Sequence, residues 1–153
     1  MVCTGNICRS PMAEGLLRAQ LPHALKPFVS VHSAGTQGLH GNRAEPNAVL
    51  ASAKYGADIH QHWARLLDAK MVRASDLVLV METFHLKIVH QFFLFRCKYA
   101  KLLGSFDEGR SYPEIEDPYG LPLAAYETCA QEIVDCLPGV IAFIEAAMAR
   151  KTA

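Results

Sequence analysis

The chain has 153 residues, 51% apolar and 20% charged, enough for one domain with a full core, and this excludes disordered, collagen-like and low-complexity classes. Lys+Arg (15) balances Asp+Glu (15), so a broad nucleic-acid or membrane-surface footprint is not expected, although a local basic pocket is compatible with zero net charge. The first residues read as no signal peptide, and five cysteines, an odd number, fit a reducing compartment, so the cytoplasm is expected.

Chain order alternates strand and helix. Met12 to Ala19 reads as a helix with Pro11 at its first position. Phe28 to Ser33 alternates at period two and predicts a strand, followed by a glycine-bearing loop from Ala34 to Asn42. A helix opens at Glu45-Pro46 and ends near Gly56, and Asp68 predicts an N-cap for a short helix through Arg73. Leu77 to Met81 is a continuous apolar run, the mark of a strand buried on both faces. A helix over Phe84 to Phe95, a strand over Tyr99 to Leu103 and a long loop from Gly104 to Pro122 follow. Ala124 to Arg150 predicts a helix that Pro138-Gly139 should kink or split. The sum is an α/β fold spanning 1–153 as a single domain, a four-stranded parallel sheet with helices on both faces.

The segment Cys3-Thr4-Gly5-Asn6-Ile7-Cys8-Arg9-Ser10-Pro11 precedes the first helix. A strand-to-helix junction offers main-chain N–H groups and a helix dipole to an anion. Gly5 and Asn6 tolerate left-handed backbone, Arg9 can fork onto an oxyanion, and Cys3 can attack what the loop holds. A free thiol has a pKa of about 8.5, and a helix N-terminus beside a guanidinium favours its thiolate. Ser10 can add a hydrogen bond to that sulfur. Taken alone, Cys3 also fits a small buried hydrophobe and Gly5-Asn6 an ordinary turn. Asp117 in the long loop, followed by Pro118, fits either a turn opener or the acid that protonates a leaving alkoxide or phenoxide.

These motifs, with Ser33-Ala34-Gly35-Thr36, His62-Trp63-Ala64-Arg65, Leu102 to Asp107 and Ile115 to Tyr119, resemble in order and spacing the low-molecular-weight protein tyrosine phosphatases, bacterial type, over essentially the whole chain. The resemblance implies a phosphocysteine mechanism with Cys3 as nucleophile, Arg9 as oxyanion clamp and Asp117 as general acid and base. Thr4, Gly5, Asn6, Ile7, Cys8 and Ser10 would form the phosphate loop, with Leu39 and Tyr119 beside the substrate ring. Ser33 and His62 would pin Asn6, and Cys8 would be a redox partner of Cys3. It implies no metal and no cofactor, and a phosphotyrosine protein as substrate. A leucine at position 39 and Tyr119-Gly120 resemble members paired with tyrosine autokinases of exopolysaccharide or capsule export. No nucleic acid and no membrane insertion are implied, and a monomer or weak dimer is expected, the apolar segment His85 to Lys98 reading as core or as a dimer surface.

Only Met1 and Val2 precede Cys3, where the resemblance implies a longer central strand. The first strand therefore reads as truncated, and the expectation is a start internal to the natural gene product. Two other readings compete. An arsenate reductase would need two relay cysteines, for which Cys129 and Cys136 are seven apart. A catalytically weak phosphate or phosphotyrosine-binding module would keep the loop alone, and phosphoarginine is a further substrate candidate.

Overall fold

The computed structural model describes residues 1–93 and 99–152. Four parallel strands form one sheet in the order β2-β1-β3-β4, from β1 (Val2–Cys3), β2 (Ala34–Gly35), β3 (Val78–Val80) and β4 (Ala100–Leu102). The helices are α1 (Arg9–Gln20), α2 (Pro46–Ala53), α3 (Ala69–Ala74), α4 (Thr83–Phe93) and α5 (Leu123–Thr152).

Strand alternation sorts the core into two layers. Cys3, Leu79 and Met81 join the large cluster with Met12, Leu16, Ile133 and Leu137 of α1 and α5. Val2, Val78 and Val80 turn the other way, onto Val89 and Leu86 of α4. This double burial is why Leu77 to Met81 reads as an unbroken apolar run. Asp68 caps α3 as its sequence predicts, accepting the Met71 N–H at 2.7 Å.

Three expectations change. Phe28 to Ser33 is not a strand; the pairing residues are Ala34 and Gly35, which the sequence reading assigned to a loop. Alternation buries Val31 and leaves Phe28 exposed, but a strand also needs a neighbour's backbone. β1 supplies it through Met1 and Cys3, whose carbonyls accept the N–H groups of Ala34 and Thr36. Met1 N donates to His32 O at 2.7 Å. A cavity of about 990 Å³ separates Val29 and Val31 from Met71, Leu77 and Ile144 and does not reach the loop after β1.

The second change is at α1, which starts at Arg9, so Pro11 stands third rather than first. Its missing N–H is still one of the first-turn donors that a helix leaves unpaired. Third, Pro138 does not split the last helix, which runs on from Leu123 to Thr152. Gly139 permits a close approach there: a Cβ would stand 2.2 Å from Phe106 O, in the 3-10 turn Leu103–Phe106. The first strand is short and central, as the sequence leads one to expect, with Val2 paired to both Ala34 and Val80. The predicted end of α4 at Phe95 and the segment through Lys98 lie outside the described residues, as do the side chains of Phe92 and Phe93.

No helix among the described residues is long and apolar enough to cross a membrane.

Candidate active site

The parallel strands all end on one side, and the polar residues just past those ends converge. After Cys3 the chain turns through Asn6, the non-glycine residue with positive φ (59°). Asparagine tolerates that backbone better than most residues, but something must hold it there. Asn6 Nδ2 donates to Ser10 Oγ (2.8 Å) and Ser33 Oγ (2.9 Å), while Asn6 Oδ1 accepts the Arg65 N–H (2.9 Å). His62 Nε2–H donates to Asn6 O at 2.8 Å. Asn6 is itself fully buried.

That geometry closes the loop around sulfur. Cys3 Sγ lies 3.0 Å from Ser10 Oγ and accepts the Asn6 N–H at 3.3 Å. Cys8 is the N-cap residue of α1, and no side chain caps that end. The main-chain N–H groups of Gly5, Ile7 and Cys8 donate to no group among the described residues. A helix N-terminus with spare donors is a site for an anion.

Arg9 is 2% exposed and bonded through both terminal nitrogens. Its Nη1 donates to Glu82 Oε2 and to Ile115 O, the latter at 2.9 Å. Its Nη2 donates to Asp117 Oδ2 at 2.6 Å, and its Nε is buried with no partner. Burial works against the guanidinium charge, but Asp117 and Glu82 outweigh it and hold the pKa above its ordinary value. The unpaired Nε and the half-used Nη2 form one edge of the guanidinium, shaped for a bidentate oxyanion.

The Asp117 loop is anchored at several points. Ile115 N donates to Met81 O at 2.9 Å, and Asp117 Oδ1 accepts the Tyr119 N–H at 3.2 Å. Glu114 accepts from Thr83 N (2.7 Å) at the start of α4 and from Tyr112 Oη (2.6 Å). Those bonds, Thr83 first, lower its pKa to about 2.

The structure thus brings together Cys3, Asn6, Arg9, Ser10, Ser33, His62 and Asp117. Leu39 lies against the loop, its Cδ1 3.5 Å from where a Gly5 Cβ would be, and its N–H bonds Gly5 O. Tyr119 is exposed beside Asp117. Ile7 is 6% exposed and packs in the large core cluster. Cys8 is equally buried, 3.8 Å from Tyr126 Oη, and burial raises its thiol pKa to about 12.

Glu82, His85 and Glu114 were not among the sequence candidates. The available signal was position: Glu82 directly follows the buried run ending at Met81, and His85 comes three residues later, at the carboxyl end of a parallel strand. Burial, with Arg9 adding to it and Glu114 opposing, lowers the His85 pKa to about 4.

Two outcomes follow from this packing. A Cβ on Gly35 would stand 2.4 Å from Thr4 O and 3.0 Å from Asn6 N, so Gly35→Ala is expected to destabilise by about 2 kcal/mol. It should also lower activity; an unchanged denaturation midpoint would refute the clash.

Acid should act in two steps. His85 has a folded pKa of about 4 against an ordinary 6.5, so only the unfolded chain takes up its proton in that window. Its stabilisation is complete above pH 6.5 and is lost as pH falls toward 4, with a slope of at most about 1.4 kcal/mol per pH unit. His62, lowered by burial against the opposing Asn6 bond, adds the same sign. Glu114 extends the loss from pH 4.5 to about 2. In urea titrations His85→Gln should flatten the upper limb and Glu114→Gln the lower.

A family model described as low molecular weight phosphotyrosine protein phosphatase matches residues 1–151. The probable low molecular weight protein-tyrosine-phosphatase EpsP of Ralstonia nicotianae is 38% identical over 133 residues, covering 87% of this chain and 86% of that protein. Tyrosine phosphatase Wzb of Escherichia coli K30, solved in complex with sulphate, matches with a TM-score of 0.81 at 29% identity over 94% of each chain. The YwlE arginine phosphatase of Geobacillus stearothermophilus matches with a TM-score of 0.83 at 27% identity, over 97% of this chain and 93% of its own. The chain belongs to the low-molecular-weight protein-tyrosine-phosphatase family of enzymes.

Proposed function

We propose that this chain hydrolyses phosphotyrosine in proteins through a phosphocysteine intermediate. The observation that carries the reading is the convergence, at one helix N-terminus, of the Cys3 sulfur, the open Nε/Nη2 edge of Arg9 and the Asp117 carboxyl.

The Cys3 thiolate attacks phosphorus while the bond to the tyrosine oxygen breaks. Asp117 in its acid form gives its proton to that oxygen, so tyrosine leaves as a neutral phenol. Water then attacks the phosphocysteine, Asp117 takes its proton, and the sulfur departs as thiolate with inorganic phosphate released. The loop N–H groups and Arg9 hold the non-bridging oxygens throughout. Ser10 holds the leaving sulfur by its hydroxyl, 3.0 Å away. Before phosphate enters, Asp117 occupies part of the anion edge of Arg9, so substrate binding exchanges one anion for another. Glu82 and Ile115 O keep the opposite edge fixed during that exchange.

Leu39 and Tyr119, both exposed, supply apolar surface for the aromatic ring. The apolar Ile7 favours phosphotyrosine over phosphoarginine. The physiological partner we infer is a tyrosine autokinase of a bacterial exopolysaccharide or capsule system, met in the cytoplasm by a monomer or weak dimer. Arsenate reduction finds little support: Cys129 and Cys136 are buried in the core, and burial pushes both thiols up, Cys136 to about 12.

Hydrolysis of a phosphotyrosine peptide, with Cys3→Ser alongside, tests the chemistry; residual activity in Cys3→Ser near wild type would overturn it. Asp117→Asn should slow poor leaving groups by about 10²–10³ and good ones far less. Equal slowing of both would remove Asp117 as the acid.

Cys8 sets a second expectation. Peroxide converts the Cys3 thiolate to a sulfenic acid, which condenses with the Cys8 thiol to a disulfide and water. Dithiothreitol should restore activity after brief peroxide treatment of the wild type but not of Cys8→Ser. Equal recovery in both would exclude Cys8 as the partner.

A further inference from the structure

Thr4 follows the nucleophile directly, and its hydroxyl has one partner among the described residues, the ring of His85. His85 is fully buried in the first turn of α4. Its Nδ1 accepts the Glu82 N–H at 3.2 Å, so the ring proton of the neutral imidazole is on Nε2. Nε2–H therefore donates to Thr4 Oγ1, 2.9 Å away. The polarity of this bond matters. With Thr4 Oγ1 held as an acceptor, the threonine's own proton is left for another acceptor. A phosphoryl oxygen is the acceptor that a loop of spare N–H groups is built to hold.

We propose that His85 is a positioning residue for the phosphate loop: fixed as the Nε2–H tautomer, it orients Thr4 so that the hydroxyl donates to the bound phosphoryl group. This rests on the phosphatase reading of the loop. The same short turn after β3 carries Glu82, which holds Arg9. It thus grips the loop at Thr4 and the guanidinium at Nη1, fixing the spacing of nucleophile and clamp. The Phe84 ring lies against the His85 ring, centroids 3.9 Å apart and tilted by 36°.

Side-chain length allows a clean test. The amide nitrogen of glutamine reaches about as far as a histidine Nε2, whereas that of asparagine reaches only to Nδ1. His85→Gln therefore keeps the donor to Thr4 and His85→Asn loses it.

The experiment compares wild type, His85→Asn, His85→Gln, Thr4→Val, Thr4→Ser and the double variant Thr4→Val/His85→Asn. Readouts are kcat/KM on a phosphotyrosine peptide, the Kd of inorganic phosphate by calorimetry, and the His85 tautomer from two-bond ¹H–¹⁵N NMR spectra. His85→Asn and Thr4→Val should each weaken both kcat/KM and phosphate binding about tenfold, the scale of one lost hydrogen bond. The double variant should be no worse than either single one, because both remove the same interaction. Thr4→Ser and His85→Gln should stay within about threefold of wild type, since each keeps its hydrogen-bonding group.

Losses that multiply in the double variant, a glutamine no better than asparagine, or an Nδ1–H tautomer would each overturn the proposal. A purely structural histidine would lower the melting temperature of His85→Asn without any coupling to Thr4. A wild type that binds phosphate but hydrolyses nothing would refute the phosphatase reading, while the phosphate Kd cycle and the tautomer would still decide the role of His85.

Discussion

The whole site depends on the left-handed turn at Asn6. A residue held in that region costs on the order of 1–3 kcal/mol and persists only where its surroundings over-determine it. Here four groups from three segments do so: Ser10 from α1, Ser33 ahead of β2, and the His62 ring and Arg65 backbone from one loop. The turn in exchange points the Asn6 N–H at Cys3 Sγ, and the amides of Gly5, Ile7 and Cys8 keep no partner among the described residues. Arg65 also fastens Ser33 O through its Nε at 2.8 Å, so two of the pins are themselves joined. Gly35 completes the arrangement by having no side chain where the loop backbone passes.

Charge is the second constraint. A buried guanidinium is costly unless its charge is answered. Arg9 is answered twice, by Glu82 at 26% exposure and by Asp117 at 42%. The two contacts differ in kind. Glu82 is bonded to the edge that also meets Ile115 O, whereas Asp117 sits at the edge with the orphaned Nε. Glu82 thus answers the charge at the fully bonded edge, and Asp117 answers it at the edge that still has a free donor.

Much of this was legible in the sequence, for identifiable reasons. The β3 run was readable because both its faces are buried, and the Asp68 cap because the cap chemistry is local. The loop residues from Cys3 to Ser10 were readable because their types match what an anion site needs. Phe28 to Ser33 misled because alternation reports a buried face but not whether a neighbouring backbone is present to pair with. Pro138 misled because helix propensity is local, whereas the burial of Ile133, Leu137 and Val140 around it is tertiary. Glu82, His85 and Glu114 were missed because single polar residues after a strand carry no pattern, and their partners lie between 31 and 81 positions away.

That last point bears on how the loop stays rigid. β1 contributes only Val2 and Cys3, so pairing with its neighbours ends where the loop begins. Beyond it, backbone bonds from outside the strands hold the loop, the N–H groups of Gln37, Leu39 and Glu45 donating to Thr4 O, Gly5 O and Ile7 O. Side chains reaching in from other segments add to them: Ser33 and His62 on Asn6, His85 on Thr4, Glu82 on Arg9. Glu114 and Ile115 in turn tie the acid loop to the turn after β3. The loop's geometry is thus a tertiary property, assembled from segments far apart in the chain: Ser33 ahead of β2, Gln37 and Leu39 after it, His62 to Arg65, and the turn after β3. These contacts, together with the strand leading in, set where the sulfur stands relative to Arg9 and Asp117.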